Sequence, residues 1–351
     1  MDRRDFLLQT FVGALSTRCA SQRSPVGDRR SQIERLMTQL HERHLFTGEV
    51  LAAAKGNVIY EGAFGVADRS TGRSYTTETR ACLASLSKPI TATAIMMLAE
   101  QHRLTYDDRL SKFLPGFAEA VGVVTIRHLL THTSGIPDYD GTDVDHPGVT
   151  NGEILAASQK VQRLVFPPGQ RYEYCNAGYV LLGLIVENIS GHSLPRFLED
   201  HVFKPLGMTS TFVLTRLDQK TAEVARGYDA SGAADDFAGM ETGDSAVYST
   251  VNDLLRFDQA LYSDALVRQQ TLAEAFTPAH VREGRTTYGF GWNIDTDALG
   301  TRVWHQGNTA GFRAFIERRL TSRMTVIMLT NGGDTDRMAI NDRIQRILRG
   351  E

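Results

Sequence analysis

The sequence predicts a mixed α/β protein, α+β in arrangement: an antiparallel sheet flanked by N- and C-terminal helices, with a large helical insertion between its strands. Three observations predict it. Strand-like runs sit near both ends of the chain, helix-like segments broken by Gly and Pro fill the middle, and short turns separate the late strands. The 351 residues suffice for a large core. Residues 31–351 read as one unit, its α/β part at about 31–80 and 280–351 and its helical part at about 81–279.

The first 30 residues read as an export signal and linker. In "MDRRDFLLQTFVGALSTRCAS" the pair Arg3-Arg4 precedes Phe6-Leu7 and an apolar run to Leu15, the pattern of a twin-arginine signal. The run is too short to span a bilayer, and Ala14-Leu15-Ser16 offers a small-residue cleavage site. Arg18 stands where a lipid-modified Cys19 would want a small residue, so periplasmic export is favoured over anchoring. Residues 21–30, "SQRSPVGDRR", are polar linker.

Ile33, Leu36, Met37 and Leu40 recur at helical spacing. Two apolar runs from Gly48 to Gly65 surround Lys55-Gly56-Asn57, a hairpin signal. A helix opening near Ser85 follows. "TIRHLLTHTSGIP" and "AGYVLLGLIVENISG" are helical segments on either side of a polar loop from Asp138 to Gly152, the second stopped by Gly191. Strands return as "YGFGWNI", "TRVWHQG", "FRAFIERRL" and "MTVIMLTN". Ile340, Ile344, Ile347 and Leu348 then mark an amphipathic helix with Asp334 as N-cap.

Apolar residues are 42% and charged residues 23% of the chain, as in a soluble globular protein. The net charge of −3 provides no electrostatic basis for a nucleic-acid partner. Basic charge is carried by 32 Arg against only 6 Lys, so a lysine in an apolar run is informative.

One such lysine lies in "ACLASLSKPITATAIMMLAE" (Ala81 to Glu100). Lys88 falls one helical turn after Ser85, on the same face, within residues apolar nearly all round. Burial disfavours an ammonium, and a neutral lysine beside a serine hydroxyl is a general base. Arginine does not deprotonate and could not replace it. This is the only S-x-x-K in the chain.

Other patterns read as structural. Cys82 and Cys175 show no metal spacing, and a bridge between them stays open. His128 and His132 stand four apart but lack the glutamate of a zinc-binding H-E-x-x-H, so no metal and no cofactor is expected. His146-Pro147-Gly148 sits in a loop, and Gly243-Asp244-Ser245 lacks a following glycine. Met96-Met97 reads as core.

Two further motifs follow S-x-x-K in order: Tyr174-Cys175-Asn176, the only Y-x-N, and His305-Gln306-Gly307. Together they resemble the serine beta-lactamase and penicillin-binding-protein superfamily. Y-x-N points to its branch of class C beta-lactamases, D-alanyl-D-alanine carboxypeptidases and related esterases. "HLLTHTSGIP", "FPPGQRYEYCNAGY", "PLGMTST", "VYSTVNDLLRF" and "YGFGW" are similar to its landmarks, so the resemblance runs from about Phe46 to the C-terminus. It implies a beta-lactamase/transpeptidase-like fold and a single catalytic unit.

The resemblance also implies roles. Ser85 would carry the acyl group, with Lys88 and Tyr174 sharing the proton traffic. Asn176 would hold Lys88 and the substrate amide. Gly307, lacking a side chain, would let substrate lie against its strand. The N–H groups of Ser85 and Asn308 would form the oxyanion hole. His305 departs from the lysine of class C enzymes, and near its ordinary pKa of about 6.5 it supplies little charge to a substrate carboxylate at neutral pH. No counterpart of the class A deacylating glutamate is evident. The resemblance implies a small-molecule or peptide substrate, whether ester, D-amino peptide or beta-lactam. The alternatives are a class C beta-lactamase and a sensor that binds penicillin or peptidoglycan without turnover.

Overall fold

Helix α1 (Pro25–Glu42) begins earlier than the sequence pattern suggests, so residues 25–30 are its first turns rather than linker. Asp28 lies in the first turn, where a carboxylate is favoured by the helix dipole, and it accepts a hydrogen bond from Gln32 Nε2 at 2.7 Å. The structure, a computed structural model, describes residues 25–351 except 217, 218, 220, 222, 236–239, 284–286, 333 and 334. The export signal therefore lies outside the described residues.

Strands β1 (Gly48–Ala54) and β2 (Asn57–Phe64) form the expected hairpin. Its turn residues Lys55 and Gly56 have φ of +52° and +79°, the left-handed pair that a tight hairpin turn requires. Short strands β3 (Val66–Asp68), β4 (Arg73–Ser74) and β5 (Ala81–Cys82) lead to a 3-10 turn (Ala84–Ser87) and helix α2 (Lys88–Glu100). The insertion continues with α3 (Glu119–Gly122), α4 (Ile126–Leu130), α5 (Asn151–Lys160), α6 (Asn176–Ser190), α7 (Leu194–Leu198) and α8 (Lys204–Leu206). After β6 (Phe212–Val213) and β7 (Val247–Ser249) come α9 (Val251–Ala260) and α10 (Gln269–Ala275). The chain closes with β8 (Asn293–Asp297), β9 (Gly300–Thr309), β10 (Phe312–Arg319), β11 (Met324–Thr330) and α11 (Arg337–Arg349).

The main sheet has the order β2-β1-β11-β10-β9-β8, and every pair in it is antiparallel. The first hairpin thus docks on the last strand. One face packs on α1 and α11 through Ile33, Met37, Phe315, Met328, Ile344 and Leu348. The other face joins the larger core that contains α2, α6 and α9. On that side Arg318 pairs with Asp258, both side chains fully buried, and Thr325 Oγ1 donates to the same carboxylate at 3.0 Å. Buried pairs of this kind are costly to break singly.

Three local readings change. The strand near Tyr288 begins only at Asn293, because Gly291 (φ +80°) turns the backbone against the start of α2. The helix in "TIRHLLTHTSGIP" ends at Leu130, and left-handed His132 (φ +55°) and Gly135 (φ +73°) carry a loop. The C-terminal helix is capped by Asp336, which accepts the Ala339 N–H at 3.0 Å, while Asp334 lies outside the described residues. Cys82 and Cys175 are buried thiols with no disulfide between them. Among the described residues no helix is long and apolar enough to cross a membrane.

Candidate active site

Ser85 is carried on the 3-10 turn rather than on the helix proper. The residue before it, Ala84, has φ +46°, a left-handed conformation that costs a non-glycine residue about 1–2 kcal/mol. The turn is held on both sides. Leu83 N–H donates to Val247 O at 2.8 Å, and Ser87 Oγ accepts the Val247 N–H at 3.2 Å. On the opposite side runs β9.

Lys88, 0% exposed, is the first residue of α2. Its Nζ lies 3.0 Å from Ser85 Oγ, 2.8 Å from Asn176 Oδ1 and 3.1 Å from the carbonyl oxygen of Asp244. The two carbonyl-type oxygens can accept two N–H bonds, which leaves the third position on the nitrogen facing the serine oxygen. That is the geometry a general base needs.

Asn176 opens α6, and its position is set from outside the helix. Asp138 accepts the N–H of Asn176 at 2.8 Å and that of Ala177 at 2.9 Å. The carboxylate satisfies two orphan donors and meets the positive end of the dipole. Tyr174 packs its ring at 4.1 Å between centroids from His132, and Lys88 Nζ lies 5.0 Å from the Tyr174 ring centre.

His132, which the sequence gives no role beyond its place in the HLLTHTSGIP landmark, is a scaffold for this motif. Its Nδ1 accepts the Cys175 N–H at 3.1 Å and its carbonyl accepts the Glu173 N–H at 2.9 Å. Burial, then the charge of Lys88, pushes its pKa well down, so the ring is neutral. His128 instead closes a capping box with Thr125 at the start of α4.

His305 differs from the expectation of ordinary titration. Its Nε2 lies 2.9 Å from Tyr288 Oη and its Nδ1 2.8 Å from Gln306 O. A neutral ring donating from Nδ1 and accepting at Nε2 satisfies both. Burial, then the charge of Lys88, lowers its pKa to about 3. The unfolded ring titrates near 6.5, so between those values the unfolded chain binds more protons and stability falls as pH drops. His305→Gln is expected to flatten the acid side of the stability profile, by up to about 1.4 kcal/mol per pH unit between pH 6 and 4. Urea midpoints measured for both proteins across that range check this; parallel profiles would refute it.

Gly307 also has a different reason from the one anticipated. A Cβ there would stand 1.9 Å from Leu83 O and 3.2 Å from Ala84 Cβ. The missing side chain makes room for the Ser85 turn, not for substrate. Beside it, Arg337 on α11 donates to Gly307 O at 2.8 Å, Ala314 O at 2.7 Å and Asn308 Oδ1 at 2.6 Å. This brace from the far end of the chain had no local signal. Because β8 pairs with β9 only as far as Trp304, the outer edge of His305–Asn308 carries no neighbouring strand among the described residues.

Ser85, Tyr174, Asn176, His305 and Asn308 line one cavity of about 460 Å³, together with Asp138, Asp140, Tyr172, Asn293, Trp304 and Gln306. Lys88 lies behind Ser85, and Gly307 lies on β9 between the lining residues Gln306 and Asn308. The seven residues singled out in the sequence are therefore gathered at one place. Behind Lys88, the buried carboxyls of Asp244 and Glu241 are raised above the usual carboxylate range, chiefly by burial.

An α/β fold with a helical insertion and a serine–lysine pair under a cavity defines a class of serine hydrolases. The chain belongs to the Beta-lactamase family, which matches residues 33–350. It is 35% identical to a penicillin-binding protein of Bacillus subtilis (strain 168), over 92% of this chain and 77% of that one. It is 29% identical to esterase EstB of Burkholderia gladioli, over 83% of this chain and 87% of that one. A penicillin-binding protein structure from Bacillus halodurans superposes with a TM-score of 0.81 at 28% identity, covering 89% of this chain and 98% of that one. A class C beta-lactamase shares the fold, with a TM-score of 0.79 at 22% identity over 93% of this chain and 98% of that one.

Proposed function

We propose that this chain hydrolyses an ester or a D-amino peptide bond through an acyl-enzyme on Ser85. The observation that carries the reading is the fully buried Lys88, with Nζ 3.0 Å from Ser85 Oγ. Lys88 takes the hydroxyl proton as the serine oxygen adds to the substrate carbonyl. The developing oxyanion is received by the N–H groups of Ser85 and Asn308, the first at the start of a 3-10 turn and the second on the open edge of β9. The Tyr174 hydroxyl passes a proton to the leaving group, and Lys88 and Tyr174 then activate the water that frees the acid. An extended substrate can add along His305–Asn308 as an extra strand.

A neutral His305 provides no fixed charge for a carboxylate, which favours esters and D-amino peptides that lack one over beta-lactams, which carry it. The open pattern of Arg3-Arg4 and the apolar run to Leu15 supports export to the periplasm.

The test pairs turnover with mass. Wild-type protein is expected to release nitrophenol from 4-nitrophenyl butyrate, and Ser85→Ala to lose at least about 1000-fold of that rate. Unchanged turnover in Ser85→Ala would refute the reading. An adduct on Ser85 that persists for hours in intact-mass spectra without product would instead indicate a sensor.

A further inference from the structure

The loop between the Ser134 turn and α5 holds four aspartates within eight residues, Asp138, Asp140, Asp143 and Asp145, and no lysine or arginine among them. Two of these, Asp138 and Asp140, line the cavity above Ser85. No lysine or arginine is among the described residues that line it.

Among the described residues, the basic groups nearest the cavity are engaged elsewhere. Lys88 sits behind Ser85, its nitrogen held by Asn176 Oδ1 and Asp244 O and turned toward the serine oxygen as its proton acceptor. Arg337 donates to Gly307 O, Ala314 O and Asn308 Oδ1, and Arg313 donates to Thr309 O and Phe312 O. His305 is neutral, with both ring nitrogens engaged. Among the described residues Asp138 accepts from the backbone N–H groups of Tyr139, Asn176 and Ala177 and pairs with no lysine or arginine, so its charge is offset only in part, by the α6 dipole. The Asp140 carboxyl is raised by burial first, then by Asp138 and Asp145, and the smaller opposing pull of Lys88 does not offset them, which is the response of an acid crowded by like charge. The cavity mouth is therefore negative, and its wall of protein lowers the effective dielectric through which that charge acts.

We infer that the substrate of this site bears an ammonium or similar cationic group, which the Asp138 and Asp140 carboxylates attract, and that anionic substrates are disfavoured. The inference rests on the hydrolase reading for its link to turnover, but the charge preference itself can be read from binding alone.

The experiment uses three 4-nitrophenyl esters of matched length: 4-(trimethylammonio)butyrate, pentanoate and the glutarate monoester. At low ionic strength the kcat/KM order expected is cationic, neutral, anionic, with the extremes at least about tenfold apart and converging as salt is added. Asp140→Asn is expected to cut the cation-to-anion ratio by about threefold or more, and Asp143→Asn, whose carboxylate does not line the cavity, to change it less. In parallel, the corresponding 4-nitroanilides are titrated into Ser85→Ala, with binding read as quenching of Trp304, which lines the cavity.

Equal kcat/KM for the three esters, a preference for the glutarate ester, or a ratio unmoved by Asp140→Asn would overturn the inference. Should no ester turn over while the cationic anilide still binds tightest to Ser85→Ala, the hydrolase reading would fall and the charge preference would stand. Should the esters turn over while the anilides bind without regard to charge, the reverse would hold.

Discussion

Lys88→Met is expected to reduce ester turnover by about 10³–10⁴-fold while leaving a folded protein. Methionine follows the unbranched path of the lysine stem and fills most of its buried volume. It offers no basic nitrogen to Ser85 Oγ, so the hydroxyl must attack without a proton acceptor. The exchange also leaves Asn176 Oδ1 and Asp244 O without their buried donor, a cost of about 1–3 kcal/mol for each group left unpaired. The loss of a desolvated amine works in the opposite direction, so thermal stability should shift much less than activity. Lys88→Arg separates charge from basicity. It places there a permanent cation that cannot accept a proton, and is expected to be as inactive as Lys88→Met. Stopped assays with 4-nitrophenyl butyrate, alongside melting curves, decide the matter; Lys88→Met within tenfold of wild type would remove the base from the mechanism.

Gly307→Ala is expected to lower kcat/KM by about 100-fold and to destabilise the fold by about 1–3 kcal/mol. The added Cβ meets a backbone carbonyl at 1.9 Å, and no side-chain rotation relieves that contact. Either β9 or the Ala84–Ser87 turn must withdraw. Each carries one of the two N–H groups assigned to the oxyanion hole, so a shift of about 1 Å in either spoils their convergence. Gly332→Ala is the matched control, because a Cβ at Gly332 meets nothing within 4 Å. Urea denaturation and steady-state kinetics on both variants test the claim. A fully active Gly307→Ala would mean that the turn and strand are not a rigid pair.

Both results depend on features that differ in how far they could be read along the chain. The Ser85–Lys88 pair was legible because a spacing of three is one turn of helix, a local property that survives even though the turn proves to be 3-10. The hairpin at Lys55-Gly56 and strands β9 to β11 were legible for the same reason, alternation and turn chemistry being carried by adjacent residues. Tyr174, Asn176 and His305 were found through an ordered motif set, not through any pattern that placed them next to Ser85.

The contacts that make these residues a site join distant parts of the chain. Asp138 caps α6 across 38 residues of sequence, Lys88 reaches Asn176 across 88, and Arg337 braces Gly307 across 30. No periodicity encodes such pairings. The state of His305 is a further case: its composition suggested a group titrating near 6.5, and burial against Tyr288 holds it neutral.

By itself, the sequence determined which elements form and which residue types could do the chemistry, because helix, strand and turn preferences act over a few neighbouring residues. Only the tertiary structure decided which oxygens hold the buried lysine, which glycine is there to admit a turn, and which charges face the cavity. Those properties depend on exclusion from water and on atoms brought close from remote segments, and they exist only once the chain has closed on itself.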